Sequence, residues 1–182
     1  MYHYVAFLRG MNLGKRRLQM TELRALFEAM KFANVATFIA SGNVIFDSPN
    51  RDGRELEDLI ERHLQQALGY DVDTFVRTRA EVAAVTIFQP FPKAEMEKSG
   101  NTIHIGFWKK APGPALVRGL LACRTEVDEF RVEGREYYWL CRIKTHESKV
   151  WSSPPMRALK LPTSTARNRT SLRKLVRQYP IL

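Results

Sequence analysis

The chain of 182 residues holds only two cysteines, Cys123 and Cys141, and four histidines. Two isolated thiols cannot make a disulfide framework, and no His/Cys grouping has zinc-like spacing, so neither a disulfide-stapled scaffold nor a metal site is expected. Long apolar runs are missing as well. Nothing approaches the roughly 18 residues that cross a bilayer, which argues against a membrane partner. Met1-Tyr2-His3-Tyr4 lacks the charged segment and apolar core of an export signal. A reduced, cytoplasmic setting is the simplest expectation. Known phosphate fingerprints are absent too: neither G-x-G-x-x-G nor G-x-x-x-x-G-K-S/T occurs, and no cofactor is implied. Catalytic constellations are equally scarce. The adjacent acids Glu57-Asp58 and Asp128-Glu129 read as solvated surface, Cys141 lies in an apolar strand as a structural thiol would, and His104 and His146 are placed for solvent.

What is present is positive charge, unevenly spread. Residues 1–91 carry 11 basic and 11 acidic side chains, so the remaining 18 basic and 8 acidic residues after position 91 supply the entire net +10. Residues 143–182 hold nine cations against the single acid Glu147. Such asymmetry suits an anionic partner, nucleic acid among the candidates, or a solubilising basic surface. A second concentration of charge lies near the start, in Leu8-Arg9-Gly10-Met11-Asn12-Leu13-Gly14-Lys15-Arg16-Arg17. This stretch follows the apolar run Val5–Leu8 and precedes a helical pattern, so it reads as a strand-to-helix loop. Two glycines let the backbone turn and approach a ligand, and four cations with one amide surround them.

Periodicity divides the rest of the chain. After a first strand over Tyr2–Leu8, the apolar positions Leu23, Leu26, Phe27 and Met30 predict a helix over Thr21–Lys31. Val35–Ala40 and Val44–Asp47 flank Ser41-Gly42-Asn43 as a hairpin. A long helix to Leu68, with Leu56, Leu59, Ile60, Leu64 and Leu68 inward, is expected to stop at Gly69. A strand over Val72–Arg77 and the capping box Thr78–Glu81 follow. Pro90-Phe91-Pro92 and the charged Lys93–Lys98 mark a boundary, giving modules of residues 1–92 and 93–182. The second half repeats strand, helix and hairpin, with Phe130–Val132 and Tyr137–Ile143 around Glu133-Gly134-Arg135, then a short helix near Ser153-Pro154-Pro155. Thr165–Asn168 reads as a loop before a final helix, where Leu172, Leu175 and Val176 face inward and Arg169, Arg173 and Arg177 stack along a wet face. The expected fold is α+β: two ferredoxin-like (βαββαβ-type) modules, each an antiparallel sheet backed by helices.

Three segments carry a resemblance: Val5–Gly14 with Met20-x-Glu22-Leu23-Arg24, Thr37–Phe46, and Thr165-Ala166-Arg167-Asn168 with Arg173-Lys174-Leu175. Together they resemble the bacterial domain-of-unknown-function family 1697, whose fold of two ferredoxin-like halves agrees with the element order. The resemblance marks Arg9, Gly10, Asn12 and Gly14 in the first loop, Ser41, Gly42 and Asn43 in the hairpin, and Thr165, Arg167 and Asn168 before the last helix. Lys15 stands where the family often has a second glycine, and Arg169 where an aromatic is common. The candidate ligand-binding residues are therefore Arg9, Asn12, Lys15, Ser41, Asn43, Arg167 and Asn168. Arg and Asn side chains together offer planar, multi-donor recognition of phosphate or carboxylate. Asn168 equally suits a helix N-cap, and Gly42-Asn43 equally suits a tight turn. In a split βαβ unit the first loop and the hairpin are expected at opposite ends of the sheet. Two function classes follow: a binding module for a phosphate-bearing ligand, or an enzyme acting on a small anionic substrate held by the Arg9 loop.

Overall fold

Each apolar run becomes a strand of one of two four-stranded sheets. A computed structural model describes residues 1–12, 14, 16–39 and 42–180. The first half folds as β1 (Tyr2–Arg9), α1 (Met20–Ala29), β2 (Ala33–Phe38), β3 (Asn43–Ser48), α2 (Gly53–Leu68), β4 (Asp73–Thr78) and α3 (Arg79–Ile87). The second contains α4 (Lys93–Glu97), β5 (Thr102–Trp108), α5 (Pro114–Ala122), β6 (Asp128–Glu133), β7 (Glu136–Cys141), two short 3₁₀ turns, α6 (Pro154–Ala158), β8 (Ser164–Asn168) and α7 (Arg169–Gln178). Sheet order is β2-β3-β1-β4 in one half and β6-β7-β5-β8 in the other, with every pairing antiparallel. Both halves are thus βαββαβ modules. Two compact units emerge, one of residues 1–84 together with the chain from Leu175, the other of Val85–Lys174. Their extents differ from a break at 92/93, because the chain crosses between units within α3 and again within α7.

In the first unit Tyr4, Ala6, Val44 and Phe46 pack with Leu23 and Phe27 of α1 and with Leu56, Ile60 and Leu64 of α2. Val5, Phe7 and Ile45, on the alternate positions, are equally buried, so β1 and β3 are apolar on both faces. Asp52 caps α2 by accepting from the Arg54 and Glu55 N–H groups, and Gly69 ends it at φ 78°, the left-handed stop expected there. One inward residue differs from expectation. Leu59 is exposed, and Glu57 is buried instead. The cause is the free edge of β4. Its outward N–H groups, on Thr74, Val76 and Thr78, donate to the carboxylates of Glu61, Glu57 and Glu81 at 2.8, 2.9 and 2.7 Å. Three acids therefore satisfy an edge that would otherwise offer a template to another strand. Thr78 and Glu81 also complete the expected capping box, since the Glu81 N–H donates to the Thr78 hydroxyl.

The second unit is built on aromatics: Trp108, Phe130, Tyr137 and Trp139 cluster with Leu120, Val150 and Met156. The Tyr137 ring lies across Gly106, where a Cβ would overlap it. Cys123 and Cys141 are free and buried, burial raises both thiols, and Cys141 Sγ donates to the Ile143 carbonyl. The reading of Asp128-Glu129 as solvated surface is corrected. Asp128 is buried, accepting from Thr125, Ser148 and the Trp139 indole, each at 2.8 Å. Glu129 pairs with Arg142 and Arg131, and the Arg142 hydrogen bond, outweighing burial, holds its carboxyl below the usual range. His104 is half-buried: its ring stacks on Trp139 at 4.8 Å, its Nε2 lies 3.1 Å from the Thr145 hydroxyl, and burial lowers its pKa. Thr165–Asn168, expected as a loop, lies within the edge strand β8. Its five residues are too few and too polar to show alternation in sequence, yet they pair in register with His104–Trp108.

Candidate functional site

Because β1 and β2 both run antiparallel to β3, which lies between them, they run parallel to each other. The end of β1 and the β2–β3 hairpin therefore share one end of the sheet, not opposite ends as expected. Register places Phe7 against Asn43 and Arg9 against Asp73, so the start of β4 arrives there too. The contact is direct: the Leu8 N–H donates to the Gly42 carbonyl at 2.8 Å. Gly42 has φ 74°, and a Cβ on it would stand 3.1 Å from Leu8 Cβ. Both the turn and the close approach call for glycine.

The side chains gathered at this end divide between bracing and display. Asn12 accepts the Leu18 N–H at 2.9 Å, which closes the loop on itself. Asn43 is buried and donates to the Phe38 carbonyl at 3.0 Å, locking the hairpin. Arg9 is half exposed and pairs with Asp73 at 3.2 Å, a solvated pair of small energetic weight. Arg16 lies 4.0 Å over the Tyr70 ring, and the Tyr70 hydroxyl in turn donates to the Met11 carbonyl. Arg17 donates to the Gly14 and Arg16 carbonyls. Neither Arg16 nor Arg17 has an acidic partner among the described residues. Lys15 and Ser41 lie outside the described residues. The Arg16–Tyr70 stack was not foreseen from sequence, where 53 residues separate the two; an arginine in the first loop and a tyrosine just after the Gly69 stop are its only local signals.

In the second unit Arg167 and Asn168 are neighbours on β8. Arg167 donates to the Thr165 hydroxyl at 2.7 Å and to the Ala166 carbonyl at 2.9 Å; burial pushes its guanidinium down to about 10, still cationic at neutral pH. Asn168 accepts the Thr170 N–H at 2.8 Å and so caps α7. Along α7, Leu172 and Leu175 are buried while Arg173 and Arg177 are exposed, as the periodicity predicts. Arg169 departs from that pattern. It is 8% exposed, and its guanidinium donates at 3.0 Å to the carbonyls of both Thr86 and Phe88. These belong to the C-terminal turn of α3, whose orphan carbonyls and negative dipole end suit a cation.

One buried polar cluster lies away from these residues, at the opposite end of β1. Asp47 accepts from His3 and Asn34, each at 2.7 Å, and from Arg79 at 3.2 Å. Burial alone would raise the Asp47 carboxyl, but the Asn34 and His3 hydrogen bonds and the Arg79 charge outweigh it and hold the carboxyl below its ordinary value. Among the described residues no group of three or more His, Cys, Asp or Glu side chains gathers as a metal ion would need. Among them, too, no helix is long and apolar enough to cross a membrane.

Residues 1–138 match a family model described as "Protein of unknown function (DUF1697)". The Thr165–Asn168 motif lies beyond that matched segment. No curated protein matches the sequence. Among solved structures, a conserved bacterial protein from Streptococcus pneumoniae is similar over 98% of both chains, with a TM-score of 0.73 at 18% identity, a likeness of fold. With residues 1–138 of 182 matched and both βαββαβ modules in place, the chain belongs to the DUF1697 family of proteins of unknown function.

Proposed function

We propose that the protein is a binding module for a phosphate-bearing ligand, received at the end of the first sheet where the basic loop meets the hairpin. The observation that carries this reading is the Leu8–Gly42 contact, which draws the two loops together. Four cations, Arg9, Lys15, Arg16 and Arg17, fall within nine residues of the first loop, against Asp71 and Asp73 in the connection entering β4. Arg16, held by the Tyr70 ring, keeps a guanidinium edge of defined orientation, and planar forks of this kind match phosphate oxygens. Nucleic acid is the ligand the charge distribution favours, given nine cations against one acid over residues 143–182. The other reading, an enzyme on a small anionic substrate at the Arg9 loop, calls for an acid or base beside it. The carboxylate beside that loop, Asp73, is paired with Arg9 at 3.2 Å, and the His3–Asp47 pair lies at the far end of β1.

The test is a salt titration of binding to a fluorescently labelled single-stranded oligonucleotide, with a duplex in parallel. The log–log slope should be steep, near −0.7 to −0.9 per phosphate contacted. Arg9→Ala and Arg16→Ala should each reduce it by about one. A flat slope removes nucleic acid as the ligand. Slopes unchanged by both substitutions remove the loop as its site.

A further inference from the structure

The second unit contains a small cleft, of about 130 Å³, lined in part by Asn101, Thr102, Asn168, Arg169, Thr170 and Arg173. We propose that it is a separate site for a small oxyanion of the phosphate class, held between the guanidinium groups of Arg169 and Arg173. This site is independent of the basic loop in the first unit.

The argument begins with the arginine row on α7. Arg169 and Arg173 are four residues apart, a spacing at which like charges repel. Arg169 has a structural reason for its place, since its bonds at 3.0 Å satisfy the Thr86 and Phe88 carbonyls. Arg173 does not. Its one hydrogen bond among the described residues is longer, 3.4 Å to the same Thr86 carbonyl, which Arg169 already satisfies. Two cations thus converge on one neutral oxygen, and the terminal nitrogens of Arg173 have no partner among the described residues.

The lining supplies no counter-charge. No Asp or Glu borders the cleft among the described residues. Glu95, which accepts from Asn101, is already paired with Arg142 at 2.8 Å. Burial, and after it the Arg173 charge, lowers the Arg169 guanidinium, with no carboxylate opposing them. The α7 N-terminus itself contributes little, because Asn168 occupies the Thr170 N–H. The attraction comes from the guanidiniums, with the hydroxyls of Thr102 and Thr170 as neutral donors on the lining. Size narrows the ligand. Pockets for drug-sized molecules span about 300–1,000 Å³, so this cleft suits an inorganic phosphate or a terminal phosphoryl group and leaves no room for a nucleoside. Arg173 is exposed, which gives the cleft a mouth to solvent.

The experiment is a titration of the full chain with inorganic phosphate, followed by amide and arginine Nε–H NMR shifts, with sodium chloride at matched ionic strength as control. Saturable shifts are expected at Thr102, Thr170 and the Arg169 and Arg173 side chains, with chloride failing to reproduce them. Arg173→Gln removes an exposed group with one weak bond, so its thermal midpoint should match the parent while phosphate affinity falls about tenfold or more. Arg16→Gln should leave the cleft shifts intact. Phosphate shifts confined to the Gly10–Arg17 amides would overturn the cleft and leave the loop reading standing. Cleft shifts that persist unchanged in Arg173→Gln would overturn it as well.

Discussion

Gly42→Ala should destabilise the first unit by about 2 kcal/mol, and the size of that loss tests whether the hairpin is truly seated on β1. Two effects add. Gly42 sits at φ 74°, and an L side chain in the left-handed region costs about 1–2 kcal/mol. The new Cβ would also stand 3.1 Å from Leu8 Cβ and 3.4 Å from the Leu8 carbonyl oxygen. Leu8 cannot give way easily: it is buried, and β1 is paired with β3 on one side and β4 on the other. The hairpin must move instead, straining the 2.8 Å bond from the Leu8 N–H, worth about 0.5–1.5 kcal/mol. A smaller unfolded-state entropy returns less than about 1 kcal/mol. Gly69→Ala is the internal reference, because Gly69 has φ 78° but nothing within 4 Å of its would-be Cβ. It carries the backbone penalty without the contact. Urea unfolding of both variants at equal m-values gives the comparison. If Gly42→Ala costs no more than Gly69→Ala, the hairpin is not packed on Leu8 and the shared sheet end is wrong.

Two further outcomes follow from burial. Leu175→Ala should cost about 2–5 kcal/mol, since Leu175 is 1% exposed on α7; a loss under about 1 kcal/mol by urea unfolding would mean the helix docks through another face. Asp47 has a folded pKa below its unfolded one, so its stabilisation is complete above the unfolded carboxylate range near pH 4 and is lost as pH falls through the folded value. Asp47→Asn should therefore lose about 3 kcal/mol at neutral pH, by stranding Arg79, and show a shallower acid limb in stability against pH. An acid limb identical to the parent's would refute that linkage.

Local chemistry alone made much of this fold readable. Apolar spacing in Leu56, Ile60 and Leu64 requires a helix with one buried stripe, and glycine at position 69 stops it because no other residue enters the left-handed region so cheaply. The Thr78–Glu81 box, the hairpin glycines and the repeated βαββ order are likewise short-range facts. They depend on neighbours a few residues apart, which a sequence lists directly. The family resemblance through Val5–Gly14 and Thr37–Phe46 rests on the same local segments.

Tertiary structure decided the rest, because those outcomes depend on partners distant in the chain. Glu57 looks like any surface acid until an edge strand 19 residues on presents the Val76 N–H to it. Asp47 is buried only because His3, Asn34 and Arg79 arrive from three other elements. Arg169 belongs by spacing to a wet row, yet an α3 terminus more than 80 residues earlier in the chain takes it inward. The loop and hairpin of the candidate site meet because β3 inserts between β1 and β2, making those two strands parallel. Sheet order is not a property of any single segment, and so the sequence listed the loop and the hairpin while only the pairing of strands brought the end of β1 beside Gly42.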